Sequence, residues 1–317
     1  MKTPPGLVIT YNPAPEFFQN LGILCKQLDR VIVVDNGSMP DIHSLLEREA
    51  LEQNTSLVVL FNNSNLGVAA ALNQGFRWAI EQGYKQIIAF DQDSLPAVGM
   101  VQELMEVYET HPDRENIAIV VPRVENPAAG IDTRFLKARG RYFFERASCT
   151  GNRIDDVSIV ITSGSLNDLS VYKKIGPFWD DLFVDYVDTE YCLRALDRGY
   201  KIAVACKARL QHRLGNQQMN QFGPLTLRPT HHSPIRWYYI SRNRVYVWRN
   251  YSFKFPHWAL YDLIVANYAL LKMLLLEEQK GSKILALFLG TYDGIRHRTG
   301  PIPVSRLALI SNERSKR

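Results

Sequence analysis

Asp91-Gln92-Asp93 closes the apolar run QIIAF. Two carboxylates at i and i+2 on an extended chain leave the same face. They can hold one hard divalent cation, directly or through water, and such a cation can bridge a diphosphate and neutralise a leaving group. Exposed turns also yield Asp-x-Asp, so the weight comes from its place at the end of a buried strand. Asp185, Asp188 and Glu190 gather at the entrance to the helical YCLRALDRG. Acids there either cap a helix dipole or supply a general base for a hydroxyl. Asp35-Asn36-Gly37-Ser38 ends another apolar run; its carboxylate can accept from a base N–H or a ribose hydroxyl, or close an Asx turn. Asn65-Leu66-Gly67 opens the helical VAAALNQGF. Asn65 is expected to cap it, and the small residues let a phosphate or ribose approach. His212 follows an Arg-bearing strand. A lone histidine is more often structural, but beside a diphosphate–metal site it becomes a ligand. Arg236, Arg242 and Arg244 are interleaved with aromatics in RWYYISRNRVYVWRNY, a pattern that serves single-stranded nucleic acid, phosphate or a membrane interface.

These residues need elements to hold them. Gly6–Asn12, Arg30–Ser38, Ser56–Asn65, Gln86–Ser94 and Ile117–Val124 are Val/Ile-rich runs ending in polar residues. Strands buried on both faces read this way. Pro15–Leu28, Asp41–Gln53, Val68–Gln82 and Ala97–Tyr108 have helical spacing. Strand alternating with helix implies βαβ units and a parallel sheet, whose ligands bind beyond the carboxyl ends of the strands. Those ends carry Asn12, Asp35, Asn36, Asn65, Asp91 and Asp93. Further on, 126–156 reads as irregular or hairpin, Val157–Leu166 as one strand, Tyr186–Arg198 as a helix and Tyr200–His212 as a strand. Gly215–Pro234 reads as a loop, and Ile235–Leu289 as helical.

The 317 residues suffice for a full core without cross-links. Net charge is +5, but residues 1–200 hold 18 Lys+Arg against 27 Asp+Glu, and residues 201–317 hold 19 against 5. The second part, at +14, reads as a basic face for nucleic acid, an anionic membrane or a phosphorylated ligand. Four cysteines without a CxxC pair exclude a zinc ribbon or a dense disulfide framework and fit a reducing cytoplasm. The N-terminus has no apolar signal region. There is no GxGxxG or GxxxxGK[ST], which argues against dinucleotide oxidoreductases and P-loop enzymes. Trp258–Leu276 is apolar but broken by Asp262, Asn267 and Lys272. Charges near the centre of a span are unfavourable, so a buried or interfacial helix is expected.

ITYNP, VVDNGS, NLGVAAALNQG, FDQDS, SGSL, LFVDYVDTEYCLR, LQHRLG and RWYYISRN follow one another in that order. The ordered set resembles the family 2 inverting glycosyltransferases of the GT-A fold over residues 6–250. Within them it is similar to bacterial rhamnosyltransferases that use dTDP-L-rhamnose. The resemblance implies an α/β fold with a mostly parallel Rossmann-like sheet, flanking helices and a C-terminal helical extension. It implies a catalytic domain over 1–234 (nucleotide-sugar side 1–125, acceptor side 126–234) and a basic, aromatic extension over 235–317. It places Thr10, Tyr11, Asn12, Asp35 and Asn36 at the nucleoside, and Asn65, Gly67 and Asn73 at a loop–helix contact near the nucleotide. Asp91, Gln92 and Asp93 match the acidic element, with Asp93 the direct ligand of Mg²⁺ or Mn²⁺. Gly164 falls near donor sugar and acceptor, His212 at the diphosphate or metal, and Arg242 beside the diphosphate.

The catalytic base falls on Asp188, with Asp185 the alternative, because Val187 stands where many relatives carry Glu. The QxxRW loop of processive synthases is missing apart from Ile235-Arg236-Trp237, so transfer of single sugars is implied. A β-L-rhamnosyl donor would give an α-L-rhamnoside on a cell-surface glycan or glycolipid. The basic, aromatic tail and the apolar helix at 258–276 point to a cytoplasmic location, peripheral on the inner face of the membrane, with an anionic membrane surface or a second copy as partner and no nucleic acid. Two alternatives stay open: a UDP-sugar hexosyl- or galactofuranosyltransferase, and a non-catalytic membrane- or nucleic-acid-binding module.

Overall fold

The computed structural model describes residues 2–52, 56–126, 131–212, 220–222, 225–227 and 231–311. The first part alternates strand and helix: β1 (Gly6–Thr10), α1 (Glu16–Gln27), β2 (Val31–Asp35), α2 (Pro40–Glu52), β3 (Leu57–Phe61), α3 (Val68–Glu81) and β4 (Gln86–Asp91). Next come β5 (Ser94–Pro96), α4 (Met100–Thr110), β6 (Ile117–Asn126), β7 (Ile131–Asp132), β8 (Phe135–Arg139), β9 (Phe143–Ala147), β10 (Arg153–Ile154), β11 (Val157–Ile159) and β12 (Ser165–Asp168). The chain continues through α5 (Leu169–Ile175), α6 (Val187–Asp197), β13 (Lys201–His212), β14 (Asn220–Phe222), β15 (Leu225–Leu227), α7 (Pro234–Tyr251), α8 (Pro256–Leu276), α9 (Lys280–Ile295) and α10 (Val304–Ser311).

The chain divides into two units. Unit 1 comprises 1–137, 146–180 and 187–212; unit 2 comprises 138–145, 181–186 and 213–317. Unit 1 is built on one sheet in the order β10-β13-β6-β12-β4-β1-β2-β3. The β1–β2, β2–β3, β1–β4 and β6–β13 pairs are parallel, while β12 runs antiparallel between β4 and β6. Val31, Ile32, Val33 and Val34 have no exposed surface, as expected for a parallel strand covered on both faces. Each such side chain contributes about 1.5–3 kcal/mol by burial. α3 forms because its Ala- and Leu-rich sequence favours helix. It buries Ala69, Leu72, Phe76 and Ala79, positions three and four apart on one face.

Three expectations change. Val157–Leu166 is not one strand: β11 ends at Ile159 and β12 starts at Ser165, with a turn at 160–164 between them. Gly164 at φ +78° permits that turn, and a Cβ there would sit 2.7 Å from Pro122 and 2.9 Å from Leu210. The expected 215–234 loop holds a short hairpin of β14 and β15 and ends in the first residue of α7, while 215–219, 223–224 and 228–230 lie outside the described residues. Cys149 and Cys206 are joined by a disulfide, against the expectation of reduced thiols. Antiparallel pairing of Arg153 with Ala205 and of Ile154 with Val204 brings the two together.

In unit 2, α7 and α9 pack around Trp237, Tyr238, Tyr239 and Ala286. Of the buried or interfacial helix expected over 258–276, α8 does not take the buried form. It is long and apolar enough to cross a membrane by length and composition, yet only 11% of its apolar window is buried.

Candidate functional site

The carboxyl ends of β1, β2 and β4 lie side by side: Thr10 pairs with Asp35, and Ile9 with Asp91. After Asp91 the chain does not stay extended. It turns at Gln92–Asp93 and returns as β5. Gln92 folds back, and its Oε1 accepts from the Thr10 hydroxyl at 3.1 Å and the Tyr11 N–H at 3.0 Å. That leaves both Asp91 and Asp93 exposed at the sheet edge. The turn is fixed from behind by Ser163. Its Oγ accepts from the Asp91 N–H at 3.1 Å and lies 2.6 Å from the Ser94 hydroxyl. Sequence reasoning singled out the SGSL turn but not Ser163. The available signal was a run of small hydroxylated residues around a glycine.

Asp35 has no exposed surface. Its carboxylate accepts from the Ser38 N–H at 3.1 Å and the Ser38 hydroxyl at 2.5 Å. His43 Nε2 approaches it at 2.8 Å, out of hydrogen-bond alignment. The Asp35 carboxylate thus closes the turn after β2 on Ser38, three residues on. Gly37, at φ +83°, lets this turn press on the next loop: a Cβ would fall 2.4 Å from the Ser64 carbonyl carbon. Asn36 ties the two loops together. It donates to Asn65 Oδ1 (3.0 Å) and the Gly67 carbonyl (3.2 Å), and accepts from the Leu66 N–H (3.0 Å) and Asn62 (3.1 Å). Asn65 is not the cap of α3. Gly67 occupies that position at φ 88°, and Asn65 accepts from the Gly67 N–H at 2.9 Å. Asn12 is exposed, with its Oδ1 accepting from the Met39 N–H at 2.9 Å. Tyr11 is 46% exposed. A wall built by Asp35, Asn36, Asn65 and Gln92 thus presents Tyr11, Asn12, Asp91 and Asp93 to solvent.

Asn73 does not face this wall. It is 1% exposed and fully used: its amide donates to the Phe178 carbonyl (2.8 Å) and Asp180 (2.7 Å), and its Oδ1 accepts from the Tyr172 hydroxyl and the Phe178 N–H. It positions the segment after α5. Asp188 stands in the first turn of α6 and accepts from the Thr189 N–H at 2.8 Å. It lines a narrow recess with Val160, Thr162, Ser165, Phe178 and Cys192. Thr162 and Ser165 flank Ser163, so the turn that braces Asp91 also borders the recess of Asp188. Burial pushes the Cys192 thiol well above its usual range, so this cysteine is a neutral wall and no nucleophile.

The alternative base lies in unit 2 and is occupied. Asp185 accepts three hydrogen bonds of 3.0–3.3 Å from the Arg236 guanidinium. Burial raises its carboxyl, and Arg236 opposes that rise. Phe183, Asp185 and Tyr186 all have positive φ, a conformation uncommon for residues other than glycine. Arg242, 2% exposed, is likewise committed within unit 2. It donates to the carbonyls of Gly300, Asp181 and Leu182 and to Asn243 Oδ1. His212 pairs through its backbone with Ser94, which brings the strand end beside the acidic turn; its side chain lies outside the described residues.

A divalent cation fits the donor set at the edge. Mg²⁺ and similar ions are usually held by one or two carboxylates, with substrate phosphates and water completing the shell. Asp91 and Asp93 are two such carboxylates in the open. Among the described residues no group of three acidic, histidine or cysteine side chains gathers around one point.

The sequence pattern of glycosyl transferase family 2 matches residues 7–176. The chain is 28% identical, over 93% of its own length and 96% of the other's, to the dTDP-rhamnosyl transferase RfbF of Shigella flexneri. It is 28% identical over 28% of its length, and 33% of the other's, to the polyprenol monophosphomannose synthase of Mycolicibacterium smegmatis. Among solved structures, S. aureus TarS superposes with a TM-score of 0.55 at 16% identity, over 100% of this chain and 53% of that one. GalNAc-T7 with UDP, GalNAc and Mn²⁺ gives 0.54 at 13% identity, over 67% and 44%. The chain thus spans about half the length of these two structures, which share its fold. The mostly parallel sheet with flanking helices is the GT-A arrangement, and the chain belongs to glycosyl transferase family 2.

Proposed function

We propose that this protein is an inverting rhamnosyltransferase. It takes single L-rhamnosyl groups from dTDP-L-rhamnose and places them on a hydroxyl of a cell-surface glycan or glycolipid, on the cytoplasmic side. Similarity to a dTDP-rhamnosyl transferase over 93% of the chain carries this reading. The geometry supports it: carboxylates at the carboxyl edge of the sheet, and a further carboxylate in a recess beyond the same turn.

Tyr11 and Asn12 meet the nucleoside, on the wall that Asp35, Asn36, Asn65 and Gly67 hold in place. Thr10 and Gln92 fix the backbone at Tyr11. Asp93, with Asp91, holds Mg²⁺ or Mn²⁺, which when bound neutralises the charge that develops on the departing diphosphate. His212 belongs to the diphosphate side. Asp188 takes the proton from the acceptor hydroxyl as that oxygen attacks the anomeric carbon. Attack from the face opposite the nucleotide inverts the centre, so a β-L-rhamnosyl donor yields an α-L-rhamnoside.

A panel of dTDP- and UDP-sugars tests the reading. Calorimetry with Mg²⁺, with Mn²⁺ and in EDTA should show binding of dTDP-L-rhamnose that weakens in EDTA and in Asp93→Ala. NMR of the released product should show the α anomer. Preference for a UDP-hexose or UDP-galactofuranose would replace the rhamnosyl assignment. Retention of configuration would remove Asp188 from its role.

A further inference from the structure

α8 has two unlike sides. On one, Trp258, Ala259 and Met273 are buried. Its acidic residue, Asp262, is turned the same way and accepts from the Tyr186 hydroxyl (2.6 Å), Arg244 Nε (3.1 Å) and Trp248 Nε1 (2.7 Å). On the other side, Leu260, Leu263, Ile264, Leu271, Leu274 and Leu275 are 37–59% exposed. At 3.6 residues per turn these six, with the exposed Val265 and Tyr268, fall within an arc of about 200°. Asn267 shares the arc and donates to the Leu263 carbonyl of its own helix. Lys272 is the one charged residue on it, its ammonium 4.6 Å from the centre of the Tyr268 ring. Lys254, before the helix, and Lys280, after it, are both exposed.

Charge decides what covers this face. Unit 2 carries 18 Lys+Arg against 8 Asp+Glu, a net +10. Two copies of such a unit repel, whereas an anionic surface attracts it. We propose that the exposed face of α8 seats the protein on a membrane containing anionic lipid. The helix lies in the headgroup plane with its leucines among the acyl chains and Lys254 and Lys280 on phosphates. It does not cross. Crossing would take Asp262 from its three donors into hydrocarbon, where a carboxylate is strongly disfavoured. The inference rests on this face alone and stands apart from the donor and acceptor assigned above.

The test is co-sedimentation of the full chain with vesicles of phosphatidylcholine, with and without phosphatidylglycerol, across a salt series. Binding to the anionic vesicles that falls as salt rises, and that alkaline carbonate reverses, is the expected result. Ile264→Glu combined with Leu271→Glu should lower partitioning by more than about tenfold, since seating one Leu or Ile is worth at least that factor. Both positions are exposed, so the thermal melt should hold; Leu263→Gln with Leu274→Gln gives a milder pair should it not. Lys254→Glu and Lys280→Glu should each cost about fivefold or more at low salt. Three outcomes overturn the proposal. The protein can stay in the supernatant at low salt. It can resist carbonate extraction, which means a span. Or Ile264→Glu/Leu271→Glu can dissociate a dimer seen by light scattering while vesicle binding is unchanged, which assigns the face to a second copy.

Discussion

The two units distribute polarity in opposite ways. Unit 1 hides its hydrocarbon in a sheet covered on both faces and puts acids on the open strand ends, where Asp91 and Asp93 are exposed. It also buries the Arg194–Glu190 pair, at 2.9 Å, and Asp35. Unit 2 takes its ions inside. Asp293 has no exposed surface and binds Tyr238, Arg298 and Arg306; Glu277 and Lys283 pair at 2.7 Å while nearly buried; Arg242 is 2% exposed. Its exterior instead shows Leu275 at 59%, Phe288 at 66% and Phe253 at 89%. Charges at a sheet edge serve a ligand in water. Charges turned inward beneath exposed leucines leave a surface suited to an apolar medium. The same chain therefore separates chemistry from attachment by where it puts its charged groups.

The most severe challenge to that division exchanges its acids. Asp188→Asn should leave dTDP-L-rhamnose binding intact and lower turnover by about 10²–10⁴-fold, the usual worth of a general base. Asp185→Asn should act mainly on stability, because it loosens the Arg236 fork. Steady-state rates and melting curves of both variants check this. If Asp185→Asn is the more damaging to turnover, the base belongs to unit 2 and the division fails.

A second challenge targets the inward charges. Asp293→Asn leaves Arg306 and Arg298 without their shared carboxylate. Removing one partner of a buried pair costs about 3–5 kcal/mol; Arg298 is half-exposed, so the lower end applies. Urea unfolding measures it. A loss below about 1 kcal/mol would put Asp293 among surface pairs.

Much of unit 1 is legible in the sequence because its signals are local. VIVVD and QIIAFD are unbroken apolar runs that end in acids, and they are strands ending at those acids. VSIVITSGSL misleads because apolar residues continue into the turn. What breaks the strand is the fit of Gly164 against Pro122 and Leu210, which are 42 and 46 residues away in sequence. Asn73 and Arg242 look like ligand-binding residues by type. Their partners, the carbonyls of Phe178, Asp181, Leu182 and Gly300, are backbone groups that no side-chain pattern advertises. α8 is the least legible element. Composition shows an apolar helix with Asp262 near its middle, but only tertiary packing decides that Asp262 faces Arg244 and Trp248 while the leucines face out.

The last effect expected is one of pH, and it also belongs to unit 2. Burial, with the charge of Arg236 next, pushes the His232 ring down to about 4; Glu277 pulls the other way, and Lys283 and Lys272 add to the depression. In the unfolded chain the ring titrates near about 6.5. Between those values the unfolded chain binds a proton that the native chain refuses, so stability falls as pH drops from about 6.5 to about 4. Above that window the ring is neutral in both states and contributes no slope. Asp293 acts in a different window. Burial alone would raise its carboxyl, but Arg306, Tyr238 and Arg298 outweigh it and hold it below the ordinary range. A depressed carboxyl stabilises the fold above its unfolded value near about 3.9 and loses that contribution as pH falls through the native value. Thermal melts across the acid range should therefore show two components. His232→Gln should flatten the first and leave the second; Asp293→Asn should remove the second from an already lowered melt. If His232→Gln leaves the slope between 6.5 and 4 unchanged, the ring is solvated in the native state and unit 2 is less tightly closed around it than its ion pairs imply.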